Sequence, residues 1–426
     1  MSEVPLTHQE YLDTDYNTGR FSFLVFFMVR RLLLYFCLLL VPLCCFSQRK
    51  EITKAEDLVK SGNKLDEAEQ SMRKLLKDSS NRKKEKIWRV MFNAMQKQYE
   101  QGNEKLYLKQ KYDTTLLFDT ASRMFRDMEA YDSIDAMPDD KGHAHPKMRK
   151  QNSLLLSQLR PNLYNGGLFF IAKKRYEKAY ELLDQYIDAA SHPMFGNFHY
   201  AQKDKHLPEA AYWASYCGYK LNDAKKILHN TYLALKDTAH YESMLQLLAT
   251  AYQLDGDTSR YVKTLKEGFD AYPKSPFFYS HLVDYYSSYK DWSKSLALSD
   301  KALSADSTSL PVLLAKSTLL LNTTDYDQSF AISSKLTKEH PEMATAWLNA
   351  GLAKFNKGVS LDKNLQLSAK TRKQIQQLYR EALPYLEKYK ELQPSDKDRW
   401  GLPLYTIYLN LNMGKQFDEI DKLIDK

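Results

Sequence analysis

Apolar residues recur at three- and four-residue spacing along most of this chain, as in YEKAYELLDQYIDAA (Tyr176–Ala190). That spacing lines side chains up on one face of a helix, and no window sustains the alternation a strand needs. The pattern predicts helices nearly throughout. A longer period lies over the first. Leu248, Ala249 and Tyr252 lead to Gly256-Asp257, Leu265, Gly268 and Pro273. A step of 34 residues brings Leu282, Val283, Tyr286, Asp291, Ser299 and Ala302. The next step reaches Leu320, Asp325-Tyr326, Leu336 and Pro341, and one more lands on Trp347, Ala350 and Gly351. A fixed period of this size implies stacked helical hairpins that share one continuous core.

These positions resemble the tetratricopeptide repeat, whose pattern runs Trp-x2-Leu-Gly-x2-Tyr, then Ala, Phe and Pro. Small residues let the two helices of a hairpin approach, the aromatic fills the space between them, and the proline ends the second helix. The resemblance implies an all-α fold, a TPR-like α-solenoid of antiparallel helix pairs wound into a right-handed superhelix. NLYNGGLFFIAKKRYEKAYELL (Asn162–Leu183) also matches, with Gly167 at the small position and Ala179 in the second helix. EAAYWASYCGYKLNDAKKIL is a degenerate copy, and KLDEAEQSMRKLLKD (Lys64–Asp78) looks like another second helix. Residues 86–135 read as helical but out of register with the period. The loop PDDKGHAHPK separates an N-terminal helical, TPR-like region over 48–137 from a clearer array over 148–426. An insertion around 358–375 stretches the interval from Lys354 to Ala382 and reads as a loop plus a helix extension. Trp400 opens a last hairpin whose charged outward positions suit a cap.

The N-terminus predicts a compartment. The apolar run Leu32–Phe46 is 15 residues long, short of the ~20 that span a bilayer. Arg30 and Arg31 precede it and Ser47-Gln48 follows, the layout of a secretory signal. This reading makes residues 1–27 an extension upstream of Met28, residues 28–47 a signal peptide, and the product periplasmic or envelope-associated. The mature chain then has no transmembrane span and a single cysteine, Cys217, so packing replaces disulfides. Two alternatives stay open: lipid attachment through Cys44 or Cys45, and one N-terminal membrane anchor over Phe21–Phe46. Beyond Gln48 the chain resembles exported tetratricopeptide proteins of Bacteroidetes. LYLKQKYDTTLLFD, NLYNGGLFFI, AAYWASYCGYK and ALPYLEKYKELQPSDK carry that resemblance. It implies an envelope repeat scaffold.

A net charge of +8 over 426 residues is a mild bias, far from a nucleic-acid footprint. No phosphate loop, nucleophile elbow, Cys pair or His-Glu-x-x-His motif follows the signal. We therefore expect no enzyme, no cofactor and no metal. His143, His145, His192, His199 and His206 lie in connectors, without the rigid ligand spacing zinc needs. Cys217, among aromatics, reads as a small buried hydrophobe. Asp257, Asp291 and Asp325 share the repeat's own spacing and read as hairpin-turn residues.

Register places Tyr164, then Tyr212, Tyr216 and Tyr219, on the groove side of first helices, followed by Gln246, Gln253 and Asp284. Aromatics beside amides bury area at small entropy cost, which suits a protein or peptide partner. The clamp that grips a partner's C-terminal carboxylate is missing, since its places hold Gln246, Ser280, Leu314 and Leu348. The expected function is a non-catalytic envelope scaffold that binds partners in its concave groove. The alternative is a glycan-binding helical lipoprotein serving an outer-membrane transporter, which would need exposed tryptophans, and the chain has five Trp in all.

Overall fold

The computed structural model describes residues 48–362 and 368–424. The upstream extension, the signal peptide, Cys44 and Cys45, and part of the 358–375 insertion lie outside them. The described residues form helices and connectors with no strand. None of the helices is long and apolar enough to cross a membrane. The chain is an all-α, TPR-like solenoid, and it divides between Cys217 and Gly218 into two units.

The first unit opens with α1 (48–61) and α2 (Leu65–Leu76). Next come α3 (Glu85–Tyr107), α4 (Thr114–Asp135) and α5 (Arg149–Ala172), each of 22 to 24 residues. Each helix from α2 to α6 (Tyr176–Asp188) packs on the next. Helices this long cannot return on themselves within 34 residues, which is why 86–135 falls out of register. Their core is Met- and Phe-rich, with Met91, Met95, Met124 and Phe125 almost fully buried. At Gly167 a Cβ would come within 2.5 Å of Leu183, so the close approach of α5 to α6 requires glycine. A 3-10 segment (Pro193–Phe198), the short α7 (Tyr200–Lys203) and α8 (Leu207–Lys220) follow.

In the second unit the 34-residue period becomes geometry. After α9 (Ala224–His229) and α10 (Thr231–Ala234) come α11 (Tyr241–Leu254) and α12 (Thr258–Ala271). The next hairpin is α13 (Pro276–Ser288) with α14 (Trp292–Ala305), then α15 (Leu310–Asn322) with α16 (Tyr326–Glu339). Each turn reverses through one residue at positive φ: Gly256, Lys290 and Thr324. An aspartate follows. Asp257, Asp291 and Asp325 cap α12, α14 and α16 by accepting from the backbone N–H of Arg260 (2.8 Å), Lys294 (3.2 Å) and Gln328 (3.3 Å). Asp223 caps α9 in the same way through Lys226 (3.1 Å). The recurring carboxylates satisfy helix N-termini.

The fourth hairpin pairs α17 (Ala344–Asp362) with α18 (Ala369–Leu392). Here the added residues lengthen both helices. Phe355 stacks on Tyr379 at 5.6 Å, and Gly358 leaves room for the Tyr379 ring. The last pair is α19 (Lys397–Asn410) and α20 (Gly414–Ile424). Trp400 is buried there and donates its Nε1–H to the Gln393 carbonyl at 3.1 Å.

Candidate functional site

In the first unit the expected groove tyrosines are packed among other rings. Tyr164 is half-buried, with ring centroids 5.5 Å from Tyr186 and 5.4 Å from His206. Tyr212 is only 7 % exposed and lies 5.0 Å from Trp213. Tyr216 meets Trp213 edge-on at 5.6 Å and Tyr176 at 6.3 Å. Tyr212 thus leaves little of its surface exposed for a partner. Neighbouring rings cover much of these tyrosines.

In the second unit Tyr219 is 41 % exposed. Gln246 is half-buried, and its side-chain amide donates to Glu242 at 3.4 Å. Gln253 and Asp284 are exposed. Of these residues, Asp284 borders a defined cavity. A pocket of about 260 Å³ opens between the first helices α13 and α15. Its walls are Pro276, Val283, Pro311, Val312 and Ala315, with Ala302 of α14 beneath. Tyr279 also lines it, but the phenol is hydrogen-bonded to Ser299 Oγ at 2.9 Å. The tyrosine therefore offers the pocket its ring, and the walls between the two helices are largely apolar.

The rim is polar. Lys274 and Asp306 lie on the loop side and Ser280 and Asp284 on the helix side. Asp306 accepts from the Thr308 backbone N–H (3.0 Å) and hydroxyl (2.8 Å). Those bonds, helped by the charge of Lys274, hold its carboxyl below the usual range. Ser275 and Ser309 are the N-caps of α13 and α15, and neither side chain makes a cap bond. The Oγ of Ser275 is buried without a hydrogen-bond partner.

Sequence reasoning named Asp284 as a candidate and Ser280 as a place of the missing clamp, but did not foresee the pocket they border. The available signal was Ser275-Pro276 and Ser309-Leu310-Pro311, which mark two helix starts one repeat apart. Among the other candidates, Cys217 is fully buried, and burial pushes its thiol up to about 12. A thiol held neutral in this way is a poor nucleophile and ligand. His143 and His145 are exposed. His192 accepts from the Met194 backbone N–H at 3.2 Å, and burial lowers its pKa. His199 occupies a left-handed turn (φ 55°), and His206 rests on Tyr164.

No protein-family model and no curated relative matches the sequence. Among solved structures, it is similar to the C-terminal part of a TPR repeat-containing protein from Cytophaga hutchinsonii. That match is 13% identical, covers 61% of this chain and 93% of the other, and has a TM-score of 0.43. A tetratricopeptide repeat protein from Parabacteroides merdae is likewise 13% identical over 63% of this chain and 99% of its own, with a TM-score of 0.36. Likenesses at this level say nothing about function. The fold is established by the chain's own repeating hairpins and caps.

Proposed function

We propose that the chain is a non-catalytic scaffold of the bacterial cell envelope that holds a protein or peptide partner along the groove face of its first helices. The observation that carries this reading is the pocket between α13 and α15, with apolar walls, a polar rim and Asp284 at its edge. Desolvated apolar pockets ringed by polar groups are where interface energy concentrates. The pocket lies below the roughly 300–1,000 Å³ range of small-molecule and cofactor sites. It suits a side chain of a docked chain.

The test is site-specific crosslinking in cells. A photoreactive amino acid at Asp284 should give crosslinked species that are absent when it replaces Lys263, an exposed residue of the second helix α12. Equal crosslinking from both positions would reject the groove. Fractionation of the same cells with intact-mass measurement tests the location. An envelope product beginning near Gln48 is expected, and a cytoplasmic product retaining residues 28–47 would overturn that part.

A further inference from the structure

The rim charges around the α13–α15 pocket are not balanced. Lys274 and Asp306 are close enough to influence each other, so each offsets part of the other's field. Asp284 stands on the far side of the rim, on α13. Carboxylates of the second helices are occupied: Asp270 of α12 pairs with Lys301 at 2.5 Å, and Asp300 of α14 pairs with Lys316 at 2.6 Å. Asp284 has no ion-pair partner among the described residues. Counting side chains, the pocket mouth thus carries one negative charge in excess beside a largely apolar cavity.

Each part of that arrangement limits the occupant. The deep part offers mostly carbon walls, because the Tyr279 hydroxyl is already bonded to Ser299, with the buried Ser275 Oγ as a polar group among them. A charged group placed there would exchange its water for at most the Ser275 hydroxyl, a cost of several kcal/mol. The carbon walls therefore favour an apolar group. At the mouth, a second carboxylate would face Asp284 with like charge, whereas a cation would gain from it. Asp284 is solvated, so this charge acts more on selection among partners than on raw affinity.

Resting on the groove-binding reading above, we propose that this pocket recognises an apolar–basic step in a partner chain: a bulky apolar side chain in the cavity and a lysine or arginine beside it, opposite Asp284. This is opposite in charge to recognition of a chain's terminal carboxylate.

Arrayed synthetic octapeptides in a Gly-Ser background test it directly. One position is Phe, Leu, Ala or Asp and the next is Arg, Gln or Glu, and the purified protein is the probe. Phe-Arg and Leu-Arg peptides should retain at least fivefold more protein than Phe-Glu, Leu-Glu or Ala-Arg. Asp284→Lys, at an exposed site that should not disturb folding, should reverse the Arg-over-Glu preference. Ser280→Trp, at the exposed rim, should bring all signals to the Ala-Arg level with the helical circular dichroism unchanged. Apolar peptides retained without charge preference, or an unchanged preference in Asp284→Lys, would overturn this assignment and leave the groove reading standing. No retention of any peptide, together with equal crosslinking from positions 284 and 263, would remove both.

Discussion

Arg160 and Asp204 form a buried ion pair 2.5 Å apart, joining α5 to the connector before α8. The guanidinium lies between two phenol rings, 3.7 Å from the Tyr186 centroid and 4.1 Å from that of Tyr200. It also donates to the Tyr186 carbonyl at 2.9 Å, and the Tyr186 hydroxyl donates to Asp204 at 2.6 Å. Four residues from three segments therefore share one desolvated charge pair. Breaking such a pair by removing one partner leaves the other charge stranded. Asp204→Ala is expected to cost about 3–5 kcal/mol in urea unfolding monitored by Trp213 fluorescence. A loss under about 1 kcal/mol, the range of solvent-exposed pairs, would mean that the pair is hydrated.

The same unit holds a carboxylate that titrates in the opposite sense. Burial, with the charges of Asp188 and Asp132, pushes Glu129 up to about 7, and its Oε1 has no hydrogen-bond partner. Its folded pKa lies above the unfolded value, so the folded state prefers the protonated form. Ionisation then costs stability progressively as pH rises from about 4.3 to about 7. Glu129→Gln should stabilise by about 1–3 kcal/mol at pH 8 and by little at pH 4.5. A pH-independent difference between the variants would refute this. Burial also acts to raise Asp204, but hydrogen bonds from Tyr186 and Arg160 outweigh it and hold that carboxyl low. Its contribution is present above the unfolded value and is lost as pH falls through the folded one.

Gly268 on α12 faces the Phe278 ring, and a Cβ would lie 2.3 Å from a ring atom. Phe278 is fully buried, so the ring has nowhere to move. Gly268→Ala should destabilise by about 1–3 kcal/mol through overpacking. Gly196 has open space around it, and the same change there should stay within about 0.5 kcal/mol. Equal melting temperatures for the two variants would show that the α12–α13 contact is loose.

The second helix of the α15–α16 hairpin is packed differently from that of α11–α12. Along α16 the buried residues are Ser329, Ser333, Leu336 and Thr337. Ser329 donates to the Ser317 carbonyl at 2.8 Å and Thr337 to that of Ser334 at 2.9 Å, while the Ser333 hydroxyl has no partner. A buried unsatisfied hydroxyl is a net cost. Ser333→Ala should therefore raise stability by about 1 kcal/mol and slow amide exchange along α16. Exchange in α16 should otherwise run ahead of α12, which buries Val262, Leu265 and Phe269. Slower exchange in α16 than in α12 would contradict the ranking.

Local rules made the helices and the repeat legible from sequence. Apolar spacing and Asp257, Asp291 and Asp325 before second helices each act within one hairpin, and the small residue at Gly268 acts on the start of the next. One hairpin's residues are close in sequence as well as in space. Register alone made Asp284 a candidate for the groove face. The pocket beside it could not, because its volume is what remains after α13, α14 and α15 pack, and no residue encodes a gap. Tyr212 shows the same limit from the other side: helical periodicity says which way a side chain points, and only tertiary packing says what covers it. Arg160 and Asp204 are 44 residues apart in no repeating relation. Pairing them required the connector to fold back onto α5, a decision made by desolvation and long-range packing rather than by the pattern along the chain.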